Sequence, residues 1–421
     1  MEIDKPERQG GERSLGSSPA RGEVKCMRHP VVWLTICGLL LTFSGSGLAA
    51  KSGQKPICIG GSLSMQGKYA EPSRMIRLGY ELWAEQVNAR GGLLGRPVEL
   101  KLFDDESSPD RVKAIYLDLL QKEQVDLLLS PYSTPLTMQA AKVADSFGFV
   151  LLACGASGNS LWKQGFTRVF GMYAPADRYF IGYADLLARQ GVARTAIVFE
   201  DSLFCRDAAE GARSWSYRFG VEVGLFGTYP ASSQELAGLL ERIHAGGMQS
   251  LILCAYPSRC FEVLDLMNRT GSRPLGLAMT IAPVMPDFFE RGGQAANGVF
   301  GPSQWEPSER IPFPGTKQFI SDFKAFAGTE PSYHAGSAYA ACELLESAVR
   351  HLGSLNQQAI RSYIASLDTV TVIGRFKVDH TGKQVGHNPV VIQWQEGKKE
   401  IVYPSRMQTA QPRFSGGEVM P

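Results

Sequence analysis

Two hydroxyl-rich loops contain the residues of this chain that are best suited to bind a small molecule. The loops span residues 131–135 and 155–160, and each follows an apolar run that predicts a buried strand. Ser133, Thr134 and Ser157 lie in them, where two helix patterns begin. Helix N-termini offer unpaired N–H groups and hydroxyls add O–H donors, so the loops together predict a site for an anionic group such as a carboxylate. The alternative for each hydroxyl is that it caps its own helix.

Two aromatic residues could cover such a ligand from the opposite side. Phe204 and Tyr256 each follow the end of a predicted strand in the second half of the chain. An aromatic ring in this position can contact the apolar part of a small ligand in a cleft. Packing in the hydrophobic core is the alternative interpretation for both rings.

Enzyme signatures are scarce. The segment 155–158 lacks the Gly-x-Ser-x-Gly spacing of a nucleophile elbow, and the chain contains no phosphate-binding loop and no His-Glu-x-x-His motif. The histidines have no spacing suited to a metal, and His334, beside Tyr333, is interpreted as a solvated or capping residue. We therefore predict a protein that is not an enzyme and has no cofactor or metal.

Charge and cysteine content narrow the possibilities further. The formal net charge is only +2, and no basic stripe with interleaved aromatics is present, which argues against a nucleic-acid partner. Six cysteines lie beyond residue 50, and their spacing fits no metal site; we predict that they are core residues. Cys254 and Cys260 are close enough for a local disulfide, but the sequence leaves the pairing open.

Alternating strand and helix patterns indicate the elements that position these residues. Predicted strands lie at 57–61, 98–103, 126–130, 149–154, 169–172, 195–199, 221–229, 250–255, 274–279 and 298–300. Predicted helices lie at 72–90, 109–123, 135–147, 177–190, 203–219, 233–246 and 257–270. This alternation is typical of βαβ units and of parallel sheets buried on both faces.

Two such series of similar length predict an α/β fold of two doubly wound lobes with a ligand cleft between them. The late elements, a helical stretch at 314–353 and a hairpin with strands at 389–394 and 400–403, are too few for a third core and should complete the two lobes. The predicted boundaries are 56–175 with 303–367 for lobe 1, 176–302 with 368–404 for lobe 2 and the hinge, and 405–421 for a loose tail.

The N-terminal region has the pattern of an export signal. Met27-Arg28-His29 precedes an apolar run at 31–43 and small residues ending at Ala49-Ala50, which predicts a signal peptide over 27–50. Residues 1–26 are predicted to be untranslated or unstructured. The apolar run is shorter than the roughly 20 residues that span a bilayer. We therefore expect a soluble periplasmic protein with no direct membrane insertion after cleavage.

Four segments together resemble the type I solute-binding proteins of ABC importers, in the branched-chain amino acid and amide branch. They are Ile59-Gly60 through Gln66-Gly67-Lys68-Tyr69-Ala70, Val87-Asn88-Ala89-Arg90-Gly91-Gly92-Leu93-Leu94-Gly95-Arg96, Pro131-Tyr132-Ser133-Thr134, and Gly374-Arg375-Phe376 with Ile392-Gln393-Trp394. The resemblance covers residues 56–404 and implies two lobes joined by three hinge crossings, which close on a ligand.

The resemblance also implies roles for individual residues. Ser133 or Thr134, with Ser130 as an alternative, would meet the carboxylate or amide of the ligand together with Ala156 and Ser157. Phe204 and Tyr256 would approach from the other lobe.

One position departs from the amino acid binders of the family. Thr280 stands where those proteins place an acidic residue for the ammonium group. A buried ammonium without a carboxylate is costly, so Asp201 or Glu306 would have to supply the charge, or the ligand lacks an amine. Amino acids, small amides, urea, and aliphatic or aromatic carboxylic acids remain open as ligands.

Three functions are compatible with these features. The leading hypothesis is a binding protein that captures a small solute by lobe closure and delivers it to a membrane permease with its ATPase subunits. A ligand sensor that regulates a partner protein through the same closure is the alternative. An exported hydrolase would need a nucleophile and a base that the sequence does not reveal.

Overall fold

The computed structural model describes residues 55–414, which form two α/β lobes. In chain order the first series is β1 (Ile57–Leu63), α1 (Ala70–Ala89), β2 (Val98–Asp104), α2 (Pro109–Gln121), β3 (Leu127–Leu128), α3 (Thr134–Ser146), β4 (Leu151–Ala153), α4 (Asn159–Trp162) and β5 (Val169–Gly171). Strand β1 pairs with β2 and β3, β4 pairs with β5, and all of these pairs are parallel. The helices cover the sheet faces, so the strands are largely apolar.

The second series repeats the pattern. It comprises α5 (Ile181–Arg189), β6 (Arg194–Phe199), α6 (Leu203–Arg218), β7 (Glu222–Thr228), α7 (Ser233–Ala245), β8 (Ser250–Cys254), α8 (Pro257–Thr270), β9 (Gly276–Met279), α9 (Phe288–Gly292) and β10 (Val299–Ser303). All ten strands and seven longer helices predicted from the sequence in these two series are confirmed. The short helices α4 and α9 were not predicted, because four or five residues are too few to show a helical period.

The remaining elements are α10 (Thr316–Ala327), α11 (Tyr333–Leu352), α12 (Gln357–Ser366), β11 (Asp368–Thr371), β12 (Gly374–Lys377), β13 (Val390–Gln395) and β14 (Lys398–Tyr403). The single helical stretch predicted at 314–353 is wrong, since α10 ends where Gly328 adopts a left-handed conformation with φ +67°. The predicted late hairpin is confirmed as β13 and β14.

The late elements extend both lobes. Strand β13 adds antiparallel to β10 and β14 adds antiparallel to β13, giving a seven-stranded sheet in the order β14-β13-β10-β9-β8-β6-β7. Helix α11 packs against α1, where Trp83 Nε1 donates to Glu346 Oε2 at 2.9 Å. A Cβ added at Gly79 would lie 2.4 Å from the carbonyl oxygen of Ala335, so only glycine permits this close approach of the helices.

Residues 405–414 do not form the loose tail expected from the sequence. The backbone N–H of Arg413 donates to Gln393 Oε1 at 2.9 Å, and Phe414 is buried against the ring of Phe300. These polar and aromatic contacts attach the segment to the second sheet.

The predicted signal peptide at 27–50, residues 1–26 before it, and residues 415–421 lie outside the described residues. Among the helices of residues 55–414, none combines the length and the apolar character needed to cross a membrane.

Candidate ligand-binding site

A small cavity lies between the lobes, beyond the carboxyl ends of the strands. Its side chains nearly fill it, and the remaining volume of about 10 Å³ has room for roughly one water molecule. The first lobe lines it with Tyr132, Ser133, Thr134, Gly155, Ser157 and Tyr333, and the remaining lining residues are Tyr173, Tyr179, Phe204, Tyr256 and Ile281. Five of the seven site residues predicted from the sequence are thus brought together: Ser133, Thr134, Ser157, Phe204 and Tyr256. The wall they build is aromatic and rich in hydroxyl groups.

The three predicted hydroxyls differ in what they bind. Ser133 occupies the N-cap position of α3, yet its side chain makes no capping hydrogen bond, and its buried Oγ has no partner within residues 55–414. The Oγ1 of Thr134 accepts from the N–H of Gly158 at 3.1 Å, and Ser157 Oγ accepts from the hydroxyl of Tyr179 at 2.8 Å. The capping alternative therefore does not account for Ser133, whose hydroxyl lies beside that of Tyr256 in the lining of the cavity.

The aromatic wall adds further donors. The rings of Phe204 and Tyr256 lie 6.0 Å apart, and Tyr179 contacts Phe204 edge-on at 5.5 Å. The buried hydroxyls of Tyr173 and Tyr256 have no hydrogen-bond partner in the described part of the chain. Burial raises the pKa of Tyr179 to about 12 and that of Tyr256 well above its ordinary value, so both remain protonated donors at neutral pH.

Thr280 and Ala156 are buried but do not line the cavity. The hydroxyl of Thr280 accepts from the N–H of Ala255 at 2.8 Å and donates to its carbonyl oxygen at 2.7 Å. Ile281, the next residue, contributes to the lining instead. Ser130, the alternative for the carboxylate clamp, is also outside the lining and hydrogen-bonds the carbonyl oxygen of Pro131.

No formally charged residue is among the described residues that line the cavity. Asp201, one candidate partner for an ammonium group, is exposed and paired with Arg206. Glu306, the other candidate, is buried, but its carboxylate lies 2.7 Å from Lys399 Nζ. Its negative charge is therefore already compensated, and neither residue replaces the acidic group missing at Thr280.

Residues 56–399 match the family described as periplasmic binding proteins. The chain belongs to the periplasmic binding protein family. Among its relatives is the "Leu/Ile/Val-binding protein homolog 8" of Brucella abortus (strain 2308), 23% identical over 375 residues, which cover 85% of this chain and 91% of that protein. The predicted family resemblance is confirmed, and the family consists of exported solute-binding proteins that are not enzymes.

Solved structures share the fold of this periplasmic binding protein. The leucine binding protein LivK of Thermotoga maritima superposes with a TM-score of 0.74 at 17% identity, covering 82% of this chain and 97% of the other. A solute binding protein of R. palustris in complex with benzoate gives a TM-score of 0.72 at 18% identity, covering 83% and 96%. The predicted fold, two lobes with a three-crossing hinge, is confirmed by these similarities.

His334 supports the wall of the cavity from behind in this binding protein. It was interpreted from the sequence as solvated or capping, but it is fully buried and stacks on Tyr333 at 4.1 Å. Burial, with a contribution from Lys399, lowers its pKa to about 3. The imidazole is therefore neutral at physiological pH and adds no charge beside the site.

Sequence reasoning missed six lining residues. Tyr132 and Gly155 belong to the two loops already selected, and Tyr173 directly follows a predicted strand, so the same strand-end rule could have identified all three.

Ile281 follows Thr280 and was overlooked because Thr280 was assumed to face the ligand. Tyr179 and Tyr333 carry no local signal, because they reach the cavity only through the folding of distant segments.

The described residues show no arrangement of three or more His, Cys, Asp or Glu side chains suited to a metal ion. The six cysteines of the same region are all buried and unpaired, as predicted for core residues.

Proposed function

We propose that this protein is the extracytoplasmic solute-binding component of an ABC importer, and that its ligand is a small carboxylic acid without an ammonium group. The observation that supports this most directly is an uncharged, aromatic cavity lining in which the adjacent buried hydroxyls of Ser133 and Tyr256 make no hydrogen bond to the rest of the described chain. Oxygen acceptors of a carboxylate would satisfy both donors at once.

The charge distribution disfavours a zwitterionic amino acid. Burying an ammonium group without an acidic partner costs several kcal/mol, whereas a carboxylate can be stabilised by O–H donors and by the start of α3 at Thr134. Each hydrogen bond to the charged group contributes about 1.5 to 3 kcal/mol. The tyrosine and phenylalanine rings are suited to the faces of an aromatic ring, which favours an aromatic acid.

The comparisons are compatible with either ligand class. The T. maritima protein is named for leucine, whereas the R. palustris protein was solved with benzoate. The lining of the present cavity favours the second class. Capture by closure of the two lobes and delivery to a permease are part of the proposal, and the two-lobed fold is compatible with both.

A calorimetric titration of the purified protein with benzoate, leucine, acetamide and urea tests the ligand class. We expect benzoate to bind and leucine to give no heat. At 100 times its dissociation constant, a ligand raises the free energy of unfolding by about 2.7 kcal/mol, so a thermal-shift assay provides an independent readout. Binding of leucine but not of benzoate would contradict the proposal.

A further inference from the structure

Lys68 lies on a loop that the first lobe holds in place. Gln66 Nε2 donates to Asp104 Oδ2 at 3.0 Å. Ser107 Oγ donates to the carbonyl oxygen of Gln66 at 2.8 Å and accepts from the N–H of Tyr69 at 3.2 Å. These bonds tie both sides of Lys68 to the end of β2 and to the segment that follows it.

Glu200, which faces Lys68, is fixed to the second lobe by hydrogen bonds. Glu200 directly follows β6, and its N–H donates to the carbonyl oxygen of Cys254 at 2.9 Å. Its carboxylate accepts from the N–H of Tyr256 at 3.1 Å. Glu200 and Tyr256 therefore form one anchored pair at the start of α8.

The side chain of Lys68 bridges the cleft between these two anchored groups. Its Nζ lies 3.6 Å from Glu200 Oε1, and 4.8 and 5.3 Å from the ring centroids of Tyr69 and Tyr256. The two rings meet edge-on at 4.9 Å, and both are buried, whereas 45% of the Lys68 side chain is exposed. The ammonium thus covers, from the solvent side, a ring pair of which Tyr256 lines the cavity.

We propose that Lys68 is a positioning residue that latches the two lobes and slows the release of the ligand. The ion pair with Glu200 and the cation–π contact with Tyr256 join opposite lobes, so an opened cleft would lose both. The contact with Tyr69 lies within one lobe and would persist. The latch rests on the proposed ligand-binding function, but it concerns retention and not the identity of the ligand.

The size of the effect follows from the exposure of the ammonium. A half-exposed cation over an aromatic ring and a solvent-accessible ion pair are each modest interactions. We expect Lys68→Met, which keeps an apolar stem and removes the charge, to release ligand about fivefold to tenfold faster. Lys68→Arg should remain near wild type because guanidinium also stacks on rings and pairs with carboxylates.

The test combines stopped-flow dissociation of benzoate with small-angle X-ray scattering of the full chain, with and without benzoate. Lys122→Met is the matched control, because Lys122, directly after the end of α2, pairs with Asp118 of that same first-lobe helix. We expect Lys68→Met and Glu200→Gln to accelerate dissociation and to raise the radius of gyration relative to this control. The double variant should be no faster than either single variant.

Two results would overturn the latch. One is an unchanged dissociation rate and radius of gyration in Lys68→Met relative to Lys122→Met. The other is a melting temperature of Lys68→Met that falls equally with and without benzoate while the dissociation rate stays unchanged. This result would indicate a purely structural role. If benzoate binds to no variant, including wild type, the proposed ligand class fails, and the radius of gyration alone decides the latch.

Discussion

At the scale of single residues, Ser133 and Ser157 look equivalent in the sequence, but only Ser157 has a hydrogen-bond partner among the described residues. Ser133→Ala removes a hydroxyl without a partner among the described residues, so we expect unchanged stability and benzoate binding weaker by about 1 to 3 kcal/mol. Ser157→Ala also leaves the buried hydroxyl of Tyr179 without its acceptor, so it should lower both affinity and stability. Calorimetry for binding and thermal unfolding for stability separate the two cases.

Ser73→Ala is the matched control for Ser133→Ala. The Oγ of Ser73 is likewise buried and unpartnered within residues 55–414, but it lies on α1 outside the cavity. The Ser73→Ala variant should bind benzoate with wild-type affinity and should unfold with wild-type stability. If Ser133→Ala behaves like this control, its hydroxyl does not contact the ligand.

The residues also show how far the site could be predicted. Ser133 and Ser157 could be predicted to lie together because each follows a strand pattern in the sequence. Parallel strands bring their carboxyl ends to one edge of a sheet. Thr280 was misplaced because a strand end does not fix which of two successive side chains turns inward. Here the Thr280 hydroxyl hydrogen-bonds the backbone of Ala255, directly after β8. Ile281, at φ +56°, lines the cavity instead.

At the scale of elements, the packing of α1 on α11 depends on the close approach at Gly79. Gly79→Ala would place a methyl group 2.4 Å from a backbone oxygen of α11, which cannot move without shifting the helix. We expect a loss of about 1 to 3 kcal/mol in the free energy of unfolding, measured by chemical denaturation.

Gly238 in α7 supplies the opposite control. A Cβ added there meets nothing within 4 Å, so Gly238→Ala should raise stability by roughly 0.5 to 1 kcal/mol through helix propensity alone. A stabilising Gly79→Ala would show that the two helices separate easily, contrary to the packing described.

Elements were predicted well where the hydrophobic period was long and flanked by caps. Helix α2 illustrates this, with Ser108 as its cap and Pro109 in its first turn. Helix α12 was missed because only Ile360 and Ile364 are fully buried on it, a face too narrow to stand out from a polar stretch. The break between α10 and α11 was missed because both flanking segments share a helical pattern.

At the scale of the whole molecule, a second contact between the lobes responds to pH. Glu71, in the first turn of α1, accepts from Arg291 Nη1 at 2.9 Å, and Arg291 also contacts Asp287 at 3.4 Å. Burial, together with Asp287, raises the pKa of Glu71 from about 4.5 to about 7, and Arg291 only partly offsets this rise. Glu71 lies on the first lobe, whereas Asp287 and Arg291 lie on the second, so opening the cleft would return this pKa toward its ordinary value.

This shift predicts tighter ligand binding in mild acid. Between pH 4.5 and 7 the closed form binds a proton more strongly than the open form, so closure is favoured there and loses this contribution as the pH rises through about 7. We expect benzoate, which is ionised at both values, to bind several-fold more tightly at pH 5.5 than at pH 8 in calorimetric titrations. Glu71→Gln should flatten this dependence, whereas Glu81→Gln, which alters an ion pair within α1, should leave it intact. An equally steep pH profile in Glu71→Gln would assign the effect to another group and would remove Glu71 from the closure equilibrium.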